Sequence, residues 1–117
     1  MTRTGIVGNR AEHKAAEYLR RQGLALIERN FRCRLGEIDL IMMDADTLVF
    51  VEVRYRASER FGGALASVDQ HKQTRLRRAA RLYLQQHKSG DCACRFDILA
   101  LGGALHNPTI DWVCDAF

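Results

Sequence analysis

Residues 36–56 read GEIDLIMMDADTLVFVEVRYR. Two runs rich in β-branched and other apolar residues flank Asp44-Ala45-Asp46-Thr47, so the stretch reads as a β-hairpin closed by a short polar turn. A two- or four-residue loop sets Asp39 opposite Glu52 and Glu37 opposite Arg54. Opposed like charges destabilise a sheet, and burial in an apolar ribbon raises their cost. The pair therefore needs a proton or a cation, and a divalent metal ion is the sharper expectation. The alternative is a three-residue loop that shifts the register, or a pair that reaches solvent at an edge. In the second run Val49, Val51, Val53 and Tyr55 share one face, and Leu48, Phe50, Glu52, Arg54 and Arg56 share the other. Apolar residues on both faces predict a central, covered strand.

Upstream, residues 24–34 predict a first strand with imperfect alternation: Ala25, Ile27 and Arg29 on one face, Leu24, Leu26 and Glu28 on the other. Before it, Asn9 to Gln22 predicts a helix that Gly23 terminates, with Ala11, Ala15, Tyr18 and Leu19 as its apolar stripe. Glu12 lies on the margin of that stripe, where it either looks into the structure or favours the helix N-terminus through the dipole. Lys14, Arg20 and Arg21 are expected to face water.

Downstream, residues 57–66 predict a mobile loop bordering a site, carrying Gly62 and Gly63. A long helix follows from Ser67 or Val68 to Lys88, with Ser67 as a plausible N-cap and Asp69 in its first turn. Its stripe is Val68, Leu76, Ala79, Ala80 and Tyr83, interrupted by Lys72, which either snorkels or serves a function. Arg75, Arg78, Arg81 and Lys88 form a basic row, with Arg77 nearby. Such a row suits a phosphate backbone or is merely solvated. CACRFDILAL, residues 92–101, predicts a fourth strand, and Thr109 to Cys114 a short fifth strand at an edge. The order implies an α/β fold, a central mixed β-sheet flanked by helices.

The 117 residues suit a single domain, 1–117, with an ordinary globular composition, 47% hydrophobic and 27% charged. No run approaches a membrane span, and the start, MTRTGIVGNR, lacks the apolar core of a signal peptide, so cytoplasmic residence is the expectation. A net charge of +4 is compatible with a polyanionic partner but is weak evidence alone. The four cysteines, Cys33, Cys92, Cys94 and Cys114, do not form paired CxxC knuckles, and reduced thiols are expected.

GNRAEHKAAEYLRRQG, RNFRCRLGEIDLIMMD, LVFVEVRYR, VDQHKQTRL and RFDIL occur in that order over roughly residues 5–101. This pattern resembles the YraN-type family of small uncharacterised proteins, which look related to Holliday junction resolvases within the PD-(D/E)xK nuclease superfamily. The resemblance implies a restriction-endonuclease-like, resolvase-like core. It further implies Mg2+ or Mn2+ held by Asp39, Glu52 and the backbone carbonyl of Val53, with Glu12 as a helix-borne acidic group. Hard carboxylate oxygens suit those ions, and a bound metal serves phosphodiester hydrolysis.

The departure is Arg54, where the superfamily pattern carries lysine. Arginine cannot act as a general base, but it can orient water and stabilise developing charge; equally, it could make an ordinary cross-strand ion pair with Glu37. Lys72 is a candidate substitute donor. The candidate catalytic set is thus Glu12, Asp39, Glu52, Arg54 and Lys72, with Arg56, Arg75, Arg78, Arg81 and Lys88 as candidate nucleic-acid contacts. The expected function is a metal-dependent, structure-selective nuclease, with DNA a better candidate than RNA. The alternatives are a nucleic-acid-binding protein that has lost catalysis and a protein-interaction scaffold. Resolvase-like enzymes also imply a homodimer, for which Phe61 and the segment Trp112 to Phe117 are candidate contacts; those residues could equally close the core.

Overall fold

The computed structural model describes residues 3–57, 67–88 and 91–117. Its elements are α1 (Arg3–Arg21), β1 (Ala25–Cys33), β2 (Gly36–Asp44), β3 (Thr47–Arg56), α2 (Gln70–Gln86), β4 (Ala93–Gly102) and β5 (Thr109–Val113). The strands form one sheet in the order β1-β2-β3-β4-β5. β3 and β4 pair in parallel and the other neighbours antiparallel. The fold is thus the expected α/β arrangement, a central mixed sheet compatible with a resolvase-like core. The parallel pair requires a crossover, and the connection containing α2 supplies it.

The hairpin adopts the register read from the sequence. Leu40 pairs with Val51, Ile41 with Phe50 and Asp44 with Thr47, leaving Ala45-Asp46 as a two-residue turn in which Ala45 takes a φ of 53°. Alternation along β3 then divides the core. Val49 and Val51 join Leu40, Met42, Leu99 and Leu101 beneath Ala11, Ala15, Ala16 and Leu19 of α1. Leu48 and Phe50 join Phe31, Ile38 and Ile41 against Leu76, Ala79, Ala80 and Tyr83 of α2. The alanines on both helices leave room for a close approach to the sheet, and each large side chain so buried contributes about 1.5–3 kcal/mol.

The helix ends differ from the sequence expectation in instructive ways. α1 starts at Arg3 rather than Asn9. It stops as expected at Gly23, whose φ of 99° permits bonds from Gly23 N–H to Arg20 O and from Leu24 N–H to Leu19 O. α2 is capped by Asp69 rather than Ser67: the Asp69 carboxylate accepts from Lys72 N–H at 2.9 Å. Ser67 has another partner, described below. α2 ends at Gln86, with Lys88 beyond it in a left-handed conformation.

At the far side of the sheet a fully buried carboxylate, Asp97, ties β4 to the C-terminal segment. It accepts from Arg95 Nε at 3.0 Å, Trp112 Nε1 at 2.9 Å and Asp115 N–H at 2.9 Å. Arg95 also donates to Asp44 at 2.9 Å, and its charged form is strongly favoured, first by the Asp97 hydrogen bond. Phe117 stacks on Phe96, with the Arg77 guanidinium over both rings at 5.3 and 5.4 Å. Trp112 and Phe117 therefore close the core, while Phe61 lies outside the described residues. Among the described residues no helix is long and apolar enough to cross a membrane.

Candidate functional site

β2 and β3 are paired from the turn to Leu40 and Val51, yet both strands continue. Beyond that point β2 stays paired with β1 down to Gly36, opposite Cys33. β3 stays paired with β4 up to Arg56, opposite Gly102. The sheet forks, and the next residue on each strand is Asp39 or Glu52. Asp39 bridges the fork with its side chain, accepting the Val53 N–H at 2.8 Å. A backbone donor freed by the fork is thereby satisfied, as a buried N–H requires.

The fork opens into a cleft of about 340 Å³ lined by Glu12, Glu37, Asp39, Glu52, Val53, Arg54, Tyr55, Arg56 and Lys72, with Val7, Gly8 and Ala11 of α1 as its apolar wall. Glu52 is only 4% exposed. Its carboxyl is held well above the usual range, first by burial, then by the hydrogen bond and charge of Asp39; Lys72 and Arg54 oppose the shift. Burial beside Asp39 thus favours the protonated form of Glu52. Glu12 looks into the structure rather than merely flanking the helix start. Burial, followed by the charge of Asp39, pushes its carboxyl up to about 7, against the hydrogen bond from Asn30 and the charge of Arg29.

Two oxygens carry the chemical interest. Glu12 Oε1 and Glu52 Oε2 are buried and, among the described residues, accept no hydrogen bond, although Lys72 Nζ approaches Glu52 Oε2 to 3.7 Å as an ion pair. Buried carboxylate oxygens without donors are costly, and a cation is the partner that would satisfy them. Among the described residues, no group of three His, Cys, Asp or Glu side chains is arranged to hold a metal alone.

The basic residues divide. Lys72, in the gap of the α2 stripe, turns toward the carboxylates. Arg54 does not pair with Glu37: its Nε donates to Ser67 Oγ at 2.7 Å, and Glu37 pairs with Arg32 at 3.4 Å. The sequence reading extended the ladder past the fork, where cross-strand neighbours no longer meet. Arg56 lines the cleft mouth and donates to Tyr55 O at 3.1 Å. Arg75 borders the cleft's α2 side beside Glu37 and Lys72, and exposed Arg78, Arg81 and Lys88 lead away from it. The loop expected over residues 57–66 lies, from 58 onward, outside the described residues.

Asn30 was missed. It sits in β1 with a φ of 53°, between Arg29 opposite Leu40 and Phe31 opposite Ile38. Asparagine within a strand run is the available signal, since it is poor in strands yet tolerates this conformation. A further irregularity between Leu26 and Glu28 explains the imperfect alternation of the strand.

Residues 11–101 match the uncharacterised protein family UPF0102. The chain belongs to this family. A UPF0102 protein of Nitrosomonas europaea is 53% identical over 117 residues, covering 100% of this chain and 98% of its own. One from Methylococcus capsulatus is 51% identical over 111 residues, covering 95% and 89%. Another, from Herminiimonas arsenicoxydans, is 59% identical over 102 residues, covering 87% and 82%. The stretch matched to UPF0102 contains Glu12, Asp39, Glu52, Arg54 and Lys72, so the fork lies inside the family's shared region.

Proposed function

We propose that this UPF0102 protein is a metal-dependent nuclease that hydrolyses phosphodiester bonds in nucleic acid, DNA in preference to RNA, selecting structure over sequence. The observation that carries the reading is the forked sheet, which sets half-buried Asp39 beside buried Glu52, with an unsatisfied Glu52 oxygen, near the Val53 backbone. Glu12 adds a third carboxyl from the helix wall. This donor set fits Mg2+ or Mn2+: magnesium commonly takes one or two carboxylates and completes its shell with water and substrate oxygens. Asp39, Glu52 and the Val53 carbonyl are the proposed ligands. When bound, the ion would supply an activated water, a clamp on the phosphoryl oxygens and relief of charge on the leaving oxygen.

The chain's own residues would position the reactants. Arg54, braced at Nε by Ser67, keeps its terminal nitrogens to orient water or a phosphoryl oxygen as a fixed cation. Lys72 shares the Glu52 wall, and we assign it the donor role that a strand lysine has in the superfamily pattern. Such groups act by being fixed before charge develops. The resemblance to resolvases supports a branched substrate.

Arg54 also favours a second reading, a nuclease-like fold that binds nucleic acid without cutting it. One experiment separates the two: cleavage of labelled single-stranded, duplex, flap and four-way-junction DNA in Mg2+ and Mn2+, with Glu52→Gln and Lys72→Ala in parallel. Metal-dependent cleavage lost in Glu52→Gln establishes the nuclease. Salt-sensitive binding without cleavage by any protein establishes the second reading. Full cleavage by Lys72→Ala removes Lys72 from the proposed mechanism.

A further inference from the structure

A second concavity, of about 550 Å³, lies on the α1 side of β1, lined by Asn9, Arg10, His13, Lys14, Arg29 and Asn30. Among the described residues, no acidic side chain lines it. His13 leans toward Glu17 at 3.7 Å, whereas Arg10, Lys14 and Arg29 have no ion-pair partner among the described residues. Lys14, expected to face water, is half-buried here. Glu12 feels the charge of Arg29, yet three cations converge on one hollow, an arrangement that attracts an anion.

The strand's local geometry builds this hollow. In a regular strand, neighbouring side chains point to opposite faces, yet Arg29 and Asn30 both line the α1 side while Phe31 packs toward α2. The break in alternation falls at Asn30, where φ is 53°. Asn30 also joins the hollow to the fork, since its side chain bonds to Glu12, which lines the carboxylate cleft. On α1, Arg10 and Lys14 stand one turn apart with Glu12 between them in sequence. Basic residues thus lie on both sides of the carboxylates: this hollow on one, Arg54, Arg56 and Arg75 on the other.

We infer that the hollow between α1 and β1 binds the phosphodiester backbone of a nucleic-acid strand whose continuation enters the carboxylate cleft, with Arg10, Lys14 and Arg29 as its phosphate contacts. The inference rests on the nucleic-acid reading of the cleft and adds the direction in which the strand runs, across α1 as well as along α2. Guanidinium and ammonium groups contact phosphates without reading bases, which agrees with selection by structure.

The test is fluorescence anisotropy in EDTA, titrating the full chain into a labelled single strand of about 20 nucleotides over a range of salt concentrations. Arg10→Gln/Arg29→Gln should weaken binding roughly tenfold and lower the slope of log K against log salt by about 1.4, or about 0.7 per lost single-strand phosphate contact. Arg10→Lys/Arg29→Lys should restore the slope, which separates lost charge from lost fold. Unchanged affinity and slope in the glutamine variant overturns the inference, as does failure of the lysine variant to restore them. Tight binding of thymidine 5′-phosphate, lost in the glutamine variant while strand binding is untouched, would overturn it in favour of a small phosphate ester. Without metal the assay is blind to catalysis, so absent cleavage leaves this outcome standing. Cleavage with an unaltered slope would remove the groove and spare the nuclease reading.

Discussion

Glu52→Gln should stabilise the metal-free protein. In the folded state the Glu52 carboxyl titrates at about 9, against 4.5 for an ordinary glutamate, with burial as the first cause. At pH 7 the folded chain therefore holds a proton that the unfolded chain has released. Holding it across about 2.5 pH units, at 1.36 kcal/mol for each, costs folding roughly 3 kcal/mol. Glutamine avoids the cost because it does not titrate, and its amide N–H can replace the proton in the bond to Asp39. The sign follows from linkage. Between pH 4.5 and about 9 the native state binds more protons than the unfolded state, so wild-type stability falls as pH rises through that window. Below it both states are protonated and the variant's advantage vanishes. Urea unfolding in EDTA at pH 5, 7 and 8.5 should show the variant's midpoint ahead by about 1.5–2 M at pH 7, less at pH 5 and more at pH 8.5. Excess Mn2+ at pH 8.5 should then raise wild-type stability, by about 2.7 kcal/mol at a hundred times the dissociation constant, and leave the variant unmoved. A variant no more stable than wild type at pH 7, or an advantage independent of pH, would refute a buried Glu52 carboxyl held protonated in the folded state.

Asp97→Ala should cost about 3–5 kcal/mol in chemical denaturation, because it strips a fully buried carboxylate from Arg95, Trp112 and the Asp115 N–H at once; a loss below 1 kcal/mol would show that the network is dispensable. Gly36→Ala should cost about 1–3 kcal/mol, since a Cβ there would stand 3.0 Å from the Arg75 carbonyl oxygen. By pushing α2 away from β2 it should also weaken strand binding, and a variant as stable as wild type by thermal melting would contradict that contact. Phe50→Ala, emptying a site 1% exposed, should cost about 3–5 kcal/mol with metal-dependent stabilisation retained, read from the melting temperature with and without Mn2+.

Much of the site was legible because a two-residue hairpin makes register a matter of counting. From Asp44 and Thr47 back to Leu40 and Val51 the pairing follows from local turn geometry. The same counting carried Glu37 to Arg54 and failed there, because β2 leaves β3 at Asp39 to follow β1, a choice made by strands that are remote in sequence. Lys72 was visible as a charge interrupting an apolar stripe, but whether it snorkelled or reached Glu52 depended on where α2 sits over β2. Ser67 read as a cap since its hydroxyl precedes the helix; Asp69 took that place, and Ser67 became the brace for Arg54.

By itself, then, the amino-acid order determined the strands, the two-faced core and the hairpin register that brings Asp39 and Glu52 to the same end of the ladder, all of which depend on periodicity and short-range turn chemistry. Tertiary structure decided the fork, the burial that raises the Glu52 carboxyl, the inward turn of Glu12 and Asn30, and the basic hollow beside them. These arise from burial and from side chains meeting across α1, β1, β2 and α2, and no local spacing encodes how such elements pack.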